Sequence, residues 1–481
     1  MAERDAPSYF FGEDNVDDNP SIKFHCGKFV SAVPMLFFIV WAITICVFGA
    51  PDVKGLILGV MIGLVIAMFF VRGSWSTYCD QIFSGMSSKI GVVAIGCWLW
   101  AGIFAQILRV GGLVDGLVWL GHFVGMTGGF FAGTTFLLAA LFASAVGTGY
   151  GTTVAFCTLM YPTGIILGAD PVLLFGAILS GSAFGDNLAP VSDTTIVSAT
   201  TQDTDVPGVV KSRFKYAIIA AIPAIALYII FGSAGETALS TTIDANLISS
   251  GDPKGLILLI PFVIVITLAM SGRHIITSIT WGILSALALI LVFKLTAGSL
   301  ILNIDKDHHA MTGALIDGID GYVDMAVLIL LIMAANHIMK IGGAMDAIKA
   351  FTLRIVKQSI RRAEIAIWAF VACLNFFITV NTAAEIAAAP FVSAIGKIFK
   401  IHPYRRANFL DAISSALGYI FPWSGGVLIG YATILELSKE GMPWITVISP
   451  TEVWPYVFHG WILVFVMLIA AITGFGRKLE K

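Results

Sequence analysis

The stretch that decides the fold is residues 185–195, "GDNLAPVSDTT", which places two carboxylates in a membrane-like run. Apolar sequence flanks it on both sides, "PVLLFGAILSGSAF" before and "IVSA" after. Pro190 lies between Asp186 and Asp193. Proline lacks a helix donor, and its ring clashes with the carbonyl four residues earlier. We therefore expect one apolar helix over 171–203 that opens around residues 185–193.

The composition places most of the chain in a bilayer. Of the 481 residues, 58% are hydrophobic and only 12% are charged, whereas a soluble domain has about a quarter of its residues charged. The net charge of −2 gives no clustered basic face of the kind that nucleic acid requires. The main partner is therefore the lipid bilayer, and nucleic acid is excluded.

The apolar stretches predict an all-α polytopic membrane protein of about ten transmembrane helices plus two re-entrant hairpins. A span needs about 20 mostly apolar residues. Four stretches pair around the polar tips "GTGYGTT" (147–153) and "VNTAAE" (380–385), and 403–437 is interrupted by Pro422 as 171–203 is by Pro190. The hairpin arms are 126–146 with 150–169 and 358–379 with 383–400, and the other spans are 29–49, 54–71, 89–108, 213–233, 253–271, 273–298, 322–341 and 457–476.

Matching residues recur 231 or 232 positions apart, which indicates a duplicated unit. The pairs are Gly111/Gly342, Gly112/Gly343, Asp115/Asp346, Gly164/Gly396, Pro171/Pro403, Ser182/Ser414, Pro190/Pro422 and Ser192/Ser424. Five spans in each unit would invert the second unit, and inverted repeats with broken helices are typical of transporters. We expect a cytoplasmic tail (1–28), a first repeat (29–233), an extracytoplasmic linker (234–252) and a second repeat (253–481).

The distribution of Lys and Arg gives the orientation. With the N-terminus inside, all but six of the 28 Lys and Arg residues fall in cytoplasmic segments, as the positive-inside rule requires. We predict a multi-pass plasma-membrane protein, in the bacterial cytoplasmic membrane, with both termini cytoplasmic.

The broken helix is the predicted cation site. Unpaired backbone at membrane depth is tolerated where it lines a cavity or is buried in protein. A charged Asp at the helix centre costs about 2.5–3.5 kcal/mol, and capping a helix returns only about 1 kcal/mol. Function therefore outweighs capping alone, although Asp193 also suits an N-cap. The hard oxygen donors and neighbours proposed for Na+ are Asp186, Asn187, Ser192, Asp193, Thr194 and Thr195.

A second set of residues is a candidate for binding substrate or protons. Glu385 could carry a proton, bind a cationic group or pair with a residue of the other half. His337 could carry a proton, and the alternative is a histidine hydrogen-bonded at a helix interface. The full set is Thr148, Thr152, Thr153, Gln106, His337, Asn381, Thr382, Glu385, Asp411 and Ser424.

Two motifs resemble those of the NhaC-type Na+/H+ antiporter family. The run Gly185-Asp186-x-x-Ala189-Pro190-Val191-Ser192-Asp193-Thr194-Thr195 is similar to its hallmark, and Gly147-Thr148-x-Tyr150-Gly151-Thr152 to its first-hairpin motif. The resemblance implies an inverted-repeat carrier of the ion transporter superfamily, an elevator-type homodimer, with Na+ and H+ coupling at Asp186, Ser192, Asp193 and Thr194. Val380-Asn381-Thr382 departs from it and resembles the Ser-Asn-Thr signature of carboxylate carriers in that superfamily.

Two functions follow as hypotheses. The first is a secondary active Na+/H+ antiporter, with Na+ and H+ as coupling ions and no cofactor. The alternative is Na+- or H+-coupled transport of a small organic solute such as an amino acid, malate or lactate. An enzyme is disfavoured, because the chain has no HExxH, GxSxG or GxGD motif.

Overall fold

The computed structural model is about 80% helical. It describes residues 22–48, 53–126, 128–190, 192–233, 251–271, 273–305, 310–345, 347, 359–439 and 442–480. Most of the predicted tail (1–28) and of the predicted linker (234–252) lies outside these residues. Two short antiparallel strand pairs are present, β1 (Lys23–Phe24) with β2 (Val71–Arg72) and β3 (Asn303–Asp305) with β4 (Ala310–Thr312).

The described residues of the first half form ten α-helices. They are α1 (Val33–Val47), α2 (Val53–Met68), α3 (Trp75–Met86), α4 (Lys89–Val110), α5 (Leu113–Val124), α6 (Gly128–Val146), α7 (Gly149–Ile166), α8 (Pro171–Leu188), α9 (Asp193–Thr201) and α10 (Val206–Phe231). A 3-10 helix, Lys28–Ala32, precedes α1.

The second half contributes ten more among the described residues. They are α11 (Leu259–Met270), α12 (Ile275–Phe293), α13 (Gly298–Ile301), α14 (Ala314–Ile341), α15 (Ile360–Phe377), α16 (Asn381–Ile398), α17 (Pro403–Leu417), α18 (Gly425–Lys439), α19 (Pro450–Val453) and α20 (Phe458–Thr473). The 3-10 helices are Pro253–Leu258 and Trp454–Tyr456.

Eight helices of the described residues are long and apolar enough to cross a membrane. A ninth span results if Pro450–Tyr456 and Phe458–Thr473, which meet at a bend of 53°, form one segment. The predicted span 54–71 is a helix of only 16 residues, Val53–Met68. The chain is therefore a membrane protein with multiple spanning helices.

The helices α8 and α17 begin in the same way. Pro171 and Pro403 each occupy the first helical turn, where proline costs no hydrogen bond. Asp170 caps α8 by accepting from Leu173 N at 2.9 Å, and His402 Nδ1 caps α17 by accepting from Tyr404 N at 3.2 Å. These caps fix where each interrupted stretch starts.

Helices α6 and α7 are joined at Gly147 and Thr148, and α15 and α16 at residues 378–380. Helix α6 packs along α8 and α10, whereas α16 packs on α17, α15 and α9. Because α16 contacts α9 directly, the tip of the second helix pair comes against the break between α8 and α9.

Some of the cations that the charge distribution assigned to cytoplasmic segments are buried. Arg405 donates to both carboxylate oxygens of Glu364, at 3.0 and 3.2 Å, and Arg477 donates to the same carboxylate at 2.7 Å. Arg213 and Arg406 are also at most 1% exposed. Counting charges could not separate these ion-paired side chains from solvated loop cations, because both types occur near helix ends.

Candidate functional site

The break between α8 and α9 forms the centre of the site. Ala189 is extended (φ −70°, ψ 123°), as expected for a residue before proline, and its N–H still donates to Gly185 O at 2.8 Å. Helix α9 begins at Asp193 with Ser192 at the N-cap. The break is thus narrower than the predicted opening over 185–193, because helical hydrogen bonding continues through the N–H of Ala189.

Asp186 is buried, 3% exposed, and receives three hydrogen bonds. Ser192 Oγ donates to its Oδ1 at 2.8 Å. Asn381 Nδ2 and Tyr419 Oη donate to its Oδ2 at 3.0 and 3.1 Å. One carboxylate therefore connects the break of the first half with the hairpin tip and the broken helix of the second.

The two carboxylate oxygens of Asp193, like those of Asp186, accept hydrogen bonds from different elements. Its Oδ1 accepts from Thr194 N at 3.0 Å, and its Oδ2 accepts from Thr382 Oγ1 at 2.6 Å. Ser192 Oγ lies 3.0 Å from Thr194 Oγ1, so the hydroxyls connect Asp186 to Thr194, whose backbone N–H binds Asp193. Each aspartate uses its Oδ1 within the break and its Oδ2 toward the tip formed by Asn381 and Thr382.

The tip of the first hairpin touches that of the second. Asn381 N donates to Tyr150 Oη at 3.4 Å, and the ring of Tyr150 lies 5.4 Å from that of Tyr419. Gly149 packs so closely that an added Cβ would overlap Tyr419 Oη and stand 3.0 Å from Asp186 Cβ. Glycine at 149 is thus what lets the tip approach the carboxylate.

A buried ion pair lies behind the aspartates. Arg213 and Asp411 are both 0% exposed and form a salt bridge through Arg213 Nη1 and Asp411 Oδ2. The guanidinium also donates to Asn187 O at 2.5 Å and to Ser198 Oγ at 3.2 Å. Asn187 lies in the last turn of α8, where carbonyls run out of helical donors, and Arg213 supplies a donor to its carbonyl.

Asp411 lies in α17 and links the ion pair through Ser415 to α9. Ser415 Oγ donates to Asp411 Oδ1 at 2.5 Å and to Thr194 Oγ1 at 3.4 Å. Thr195 Oγ1 accepts from Arg213 at 3.5 Å, so Thr195 faces the ion pair and not the aspartates. The two broken helices are therefore joined by one continuous polar network.

Glu385 lies in α16, one turn after Thr382, and is 0% exposed. Neither of its carboxyl oxygens has a hydrogen-bond partner in the described part of the chain. Its electrostatic neighbours are Asp411, Arg213, Asp193 and Asp186. The structure thus brings Glu385 to the site without the donors that the other carboxylates have.

The other predicted residues form local or separate contacts. Thr152 Oγ1 donates to Thr148 O and Thr153 Oγ1 to Gly149 O, within their own turn of α7. Ser424 Oγ donates to Phe421 O. His337 Nε2 is 2.8 Å from Gln81 Oε1 at an interface with α3, and Gln106 Oε1 accepts from Arg109 at 2.5 Å. In the described residues, the hydrogen bonds of Thr152, Thr153, Ser424 and His337 therefore lie away from Asp186 and Asp193.

The polar side chains of the site that were not predicted include Arg213, Ser198, Ser415 and Tyr419. Tyr419 lies within the second break, "GYIFPWSGG", where a hydroxyl could have been noticed. Arg213 starts a predicted span, and a cation inside an apolar stretch is itself a signal of buried pairing.

The arrangement is suited to a hard monovalent cation. Two carboxylates and the hydroxyls of Ser192 and Thr194 lie at the break, whereas the side-chain oxygen of Asn187 accepts from Arg213 at 3.1 Å and faces the ion pair. Among the described residues, no three His, Cys, Asp or Glu side chains form one metal-binding group. A cation here would therefore combine two carboxylates with neutral oxygens, a weaker and more exchangeable ligand set than an acidic cage.

Sequence comparison identifies three curated relatives. The arginine/ornithine antiporter ArcD of Halobacterium salinarum is 28% identical over 47% of this chain and 48% of its own. The Na+/H+ antiporter NhaC of Alkalihalophilus pseudofirmus is 25% identical over 47% and 49%. The malate-2H+/Na+-lactate antiporter of Bacillus subtilis is 29% identical over 31% of each chain. The aligned part of this chain spans about half the length, or less, of the curated relatives it matches.

Two solved structures resemble the fold more distantly. MtrF of Neisseria gonorrhoeae, described as one of a class of antimetabolite efflux pumps, aligns with a TM-score of 0.41 at 13% identity, over 91% of this chain and 94% of its own. The YdaH transporter of Alcanivorax borkumensis aligns with a TM-score of 0.40 at 12% identity, over 92% and 99%.

The match to a family profile is far more extensive. The profile described as the Na+/H+ antiporter family matches residues 21–233 and 236–461, which together hold every residue of the site. The chain belongs to the Na+/H+ antiporter family.

Proposed function

We propose that the protein exchanges Na+ for H+ across the membrane, with Asp186 and Asp193 as the ion-binding residues. The observation that carries this proposal is the shared geometry of the two carboxylates. In each aspartate, one carboxylate oxygen accepts a hydrogen bond from within the break, and the other accepts one from Asn381 or Thr382 at the tip. Family membership supports Na+ and H+ as the coupling ions.

Competition between the two ions couples their movement. When both aspartates are ionised, their oxygens and the hydroxyls of Ser192 and Thr194 can surround Na+. A proton on the pair removes a negative charge and occupies a ligand oxygen, so that Na+ no longer binds. Ser192 Oγ bonds to Asp186 at 2.8 Å and lies 3.0 Å from Thr194 Oγ1, and Thr194 N donates to Asp193 at 3.0 Å. The two carboxylates thus belong to one local network, in which a proton on one changes the charge beside the other. One ion therefore excludes the other, which is the chemical requirement for exchange.

The proposed architecture consists of two inverted repeats, 29–233 and 253–481, joined by an extracytoplasmic linker over 234–252. Each repeat would contribute a re-entrant hairpin, α6–α7 or α15–α16, and a broken helix, α8–α9 or α17–α18. The contacts of Asn381 with Tyr150 and with Asp186 support hairpin tips that meet near the bilayer midplane. Cytoplasmic termini, an elevator-type homodimer and the absence of catalysis belong to the same proposal.

A second candidate function is exchange or coupled transport of a small organic solute. Asn381 and Thr382 present an amide and a hydroxyl at the tip, which could bind a solute after leaving the aspartates. The relatives that move arginine and ornithine, or malate and lactate, favour testing amino acids and carboxylates. Ser424, Thr148, Thr152 and Thr153 would then be secondary contacts, whereas His337 and Gln106 would be structural.

Flux measurements on purified protein in liposomes distinguish these functions. For Na+/H+ exchange, an outward Na+ gradient acidifies the lumen of liposomes that carry the wild-type protein, and Asp186→Asn abolishes the signal. Asp324→Asn is the matched control, because the side chain of Asp324 is half-exposed and is paired only loosely with Lys54, 4.0 Å away. If the Na+ gradient moves no protons but drives labelled arginine, malate or lactate, the organic-solute function is correct and Na+/H+ exchange is not.

A further inference from the structure

Competition between Na+ and H+ at Asp186 and Asp193 does not explain the environment of Glu385. Its side chain is fully buried, and both carboxyl oxygens lack a hydrogen-bond partner among the described residues. Asp186 has three donors and Asp193 has two. Glu385 therefore differs from them in having, within the described part of the chain, no hydrogen-bond donor that stabilises a negative charge.

The nearby charges do not compensate for this deficit. The charged groups that act on Glu385 are Asp411 on α17, Arg213 on α10, Asp193 on α9 and Asp186 on α8. Arg213 is already paired with Asp411. Three carboxyl groups of this cluster, Asp186, Asp193 and Glu385, thus share a buried site without a resident cation of their own.

We propose that Glu385 is a second proton-binding residue, loaded separately from the aspartate pair, and that the site crosses the membrane only with this proton in place. The inference rests on the proposed Na+/H+ exchange. An ionised carboxylate that is buried without a partner is strongly disfavoured relative to its neutral acid. The binding step is simple: the carboxylate takes up one H+ to become a carboxylic acid, and no other bond changes.

A proton fits this position better than a metal ion does. A hard cation needs several oxygens at once, and those are gathered around Asp186 and Asp193. A proton needs a single carboxylate oxygen, which Glu385 supplies alone. With Arg213 and Asp411 cancelling each other, protonation of Glu385 lowers the net negative charge of the Na+-loaded site by one unit, and a smaller charge crosses an apolar barrier more easily.

The test is exchange of radioactive Na+ for unlabelled Na+ in liposomes at equal Na+ concentration and equal pH on both sides. No net proton movement by the aspartates is required, so the rate reports movement of the Na+-loaded site. In the wild type the rate falls by about tenfold per pH unit once Glu385 loses its proton, because the protonated fraction of a single titrating group falls by that factor. Glu385→Gln, a neutral isostere, removes this alkaline fall, whereas Glu385→Asp, which keeps a carboxyl, retains it.

Two controls make every outcome decisive. Glu436→Gln has the same chemistry at a partly exposed position, 3.4 Å from Lys439, and keeps the wild-type pH profile. Na+ binding to detergent-solubilised Glu385→Gln is measured separately and persists. An unchanged alkaline fall in Glu385→Gln, loss of its Na+ exchange, or loss of its Na+ binding each overturns the inference. A wild-type protein without any Na+ exchange would refute the proposed function, and this inference with it.

Discussion

The buried pair of Arg213 and Asp411 allows a quantitative test of how the site is held together. Both side chains are 0% exposed, and Asp411 also accepts from Ser415 at 2.5 Å. Asp411→Asn keeps the size of the side chain but leaves the Arg213 guanidinium buried without its counterion. Removing one partner of a buried pair costs about 3–5 kcal/mol, so we expect the free energy of unfolding to fall by that amount.

The matched variant is Asp324→Asn, whose partner Lys54 lies 4.0 Å away and whose side chain is 50% exposed. An exposed pair contributes less than about 1 kcal/mol, so this variant should unfold almost as the wild type does. The double variant Arg213→Gln/Asp411→Asn removes both charges and should be more stable than Asp411→Asn alone. Denaturant unfolding in mixed micelles measures all of these free energies. Equal effects of Asp411→Asn and Asp324→Asn would refute the assignment of a buried, structurally essential ion pair.

Two further predictions concern the tip and the N-terminal end of α10. Thr382→Val removes the hydroxyl that donates to Asp193 Oδ2 at 2.6 Å. Because a hydrogen bond to a charged group contributes about 1.5 kcal/mol or more, Na+ affinity should fall about tenfold. Thr382→Ser keeps the hydroxyl and should retain the wild-type Na+ affinity in the same titration. Tyr404 Oη and Gly208 N donate to Asp205, and these bonds hold the pKa of its carboxyl below the ordinary value of 3.8. The stability that these bonds provide is present above that value and is lost as the pH falls through the lowered pKa. The melting temperature of Asp205→Ala should therefore be lower than that of the wild type at neutral pH and equal to it in strong acid. A difference in melting temperature that stays constant with pH would contradict this.

The sequence predicted the parts of the site that follow from local rules. Pro190 between apolar runs implies a broken helix, and the structure separates α8 from α9 there. The polar tip at Asn381 and Thr382 was also predictable, because amide and hydroxyl side chains interrupt an otherwise apolar stretch. The resemblance of the 185–195 motif to the NhaC type is confirmed by the family match.

The remaining features depend on tertiary structure. From the sequence alone, Arg213 at the start of a predicted span is interpreted as a cytoplasmic anchor. In the structure, α10 packs against α9 and α17, which places the guanidinium of Arg213 between Asn187 and Asp411. The lack of any partner for Glu385 is likewise invisible in the sequence, since pairing requires knowledge of which helices face each other. The asymmetry between three donors on Asp186 and two on Asp193 has the same origin.

The most direct test of the central claim is proton release when purified protein binds Na+. The account predicts that Na+ addition to the wild type in weakly buffered micelles releases protons, and that the Na+ dissociation constant rises about tenfold for each unit of falling pH where one proton competes. Asp186→Asn/Asp193→Asn should neither bind Na+ nor release protons. Na+ binding with an affinity independent of pH, or full binding by the double variant, would contradict the claim that these two aspartates exchange Na+ for H+.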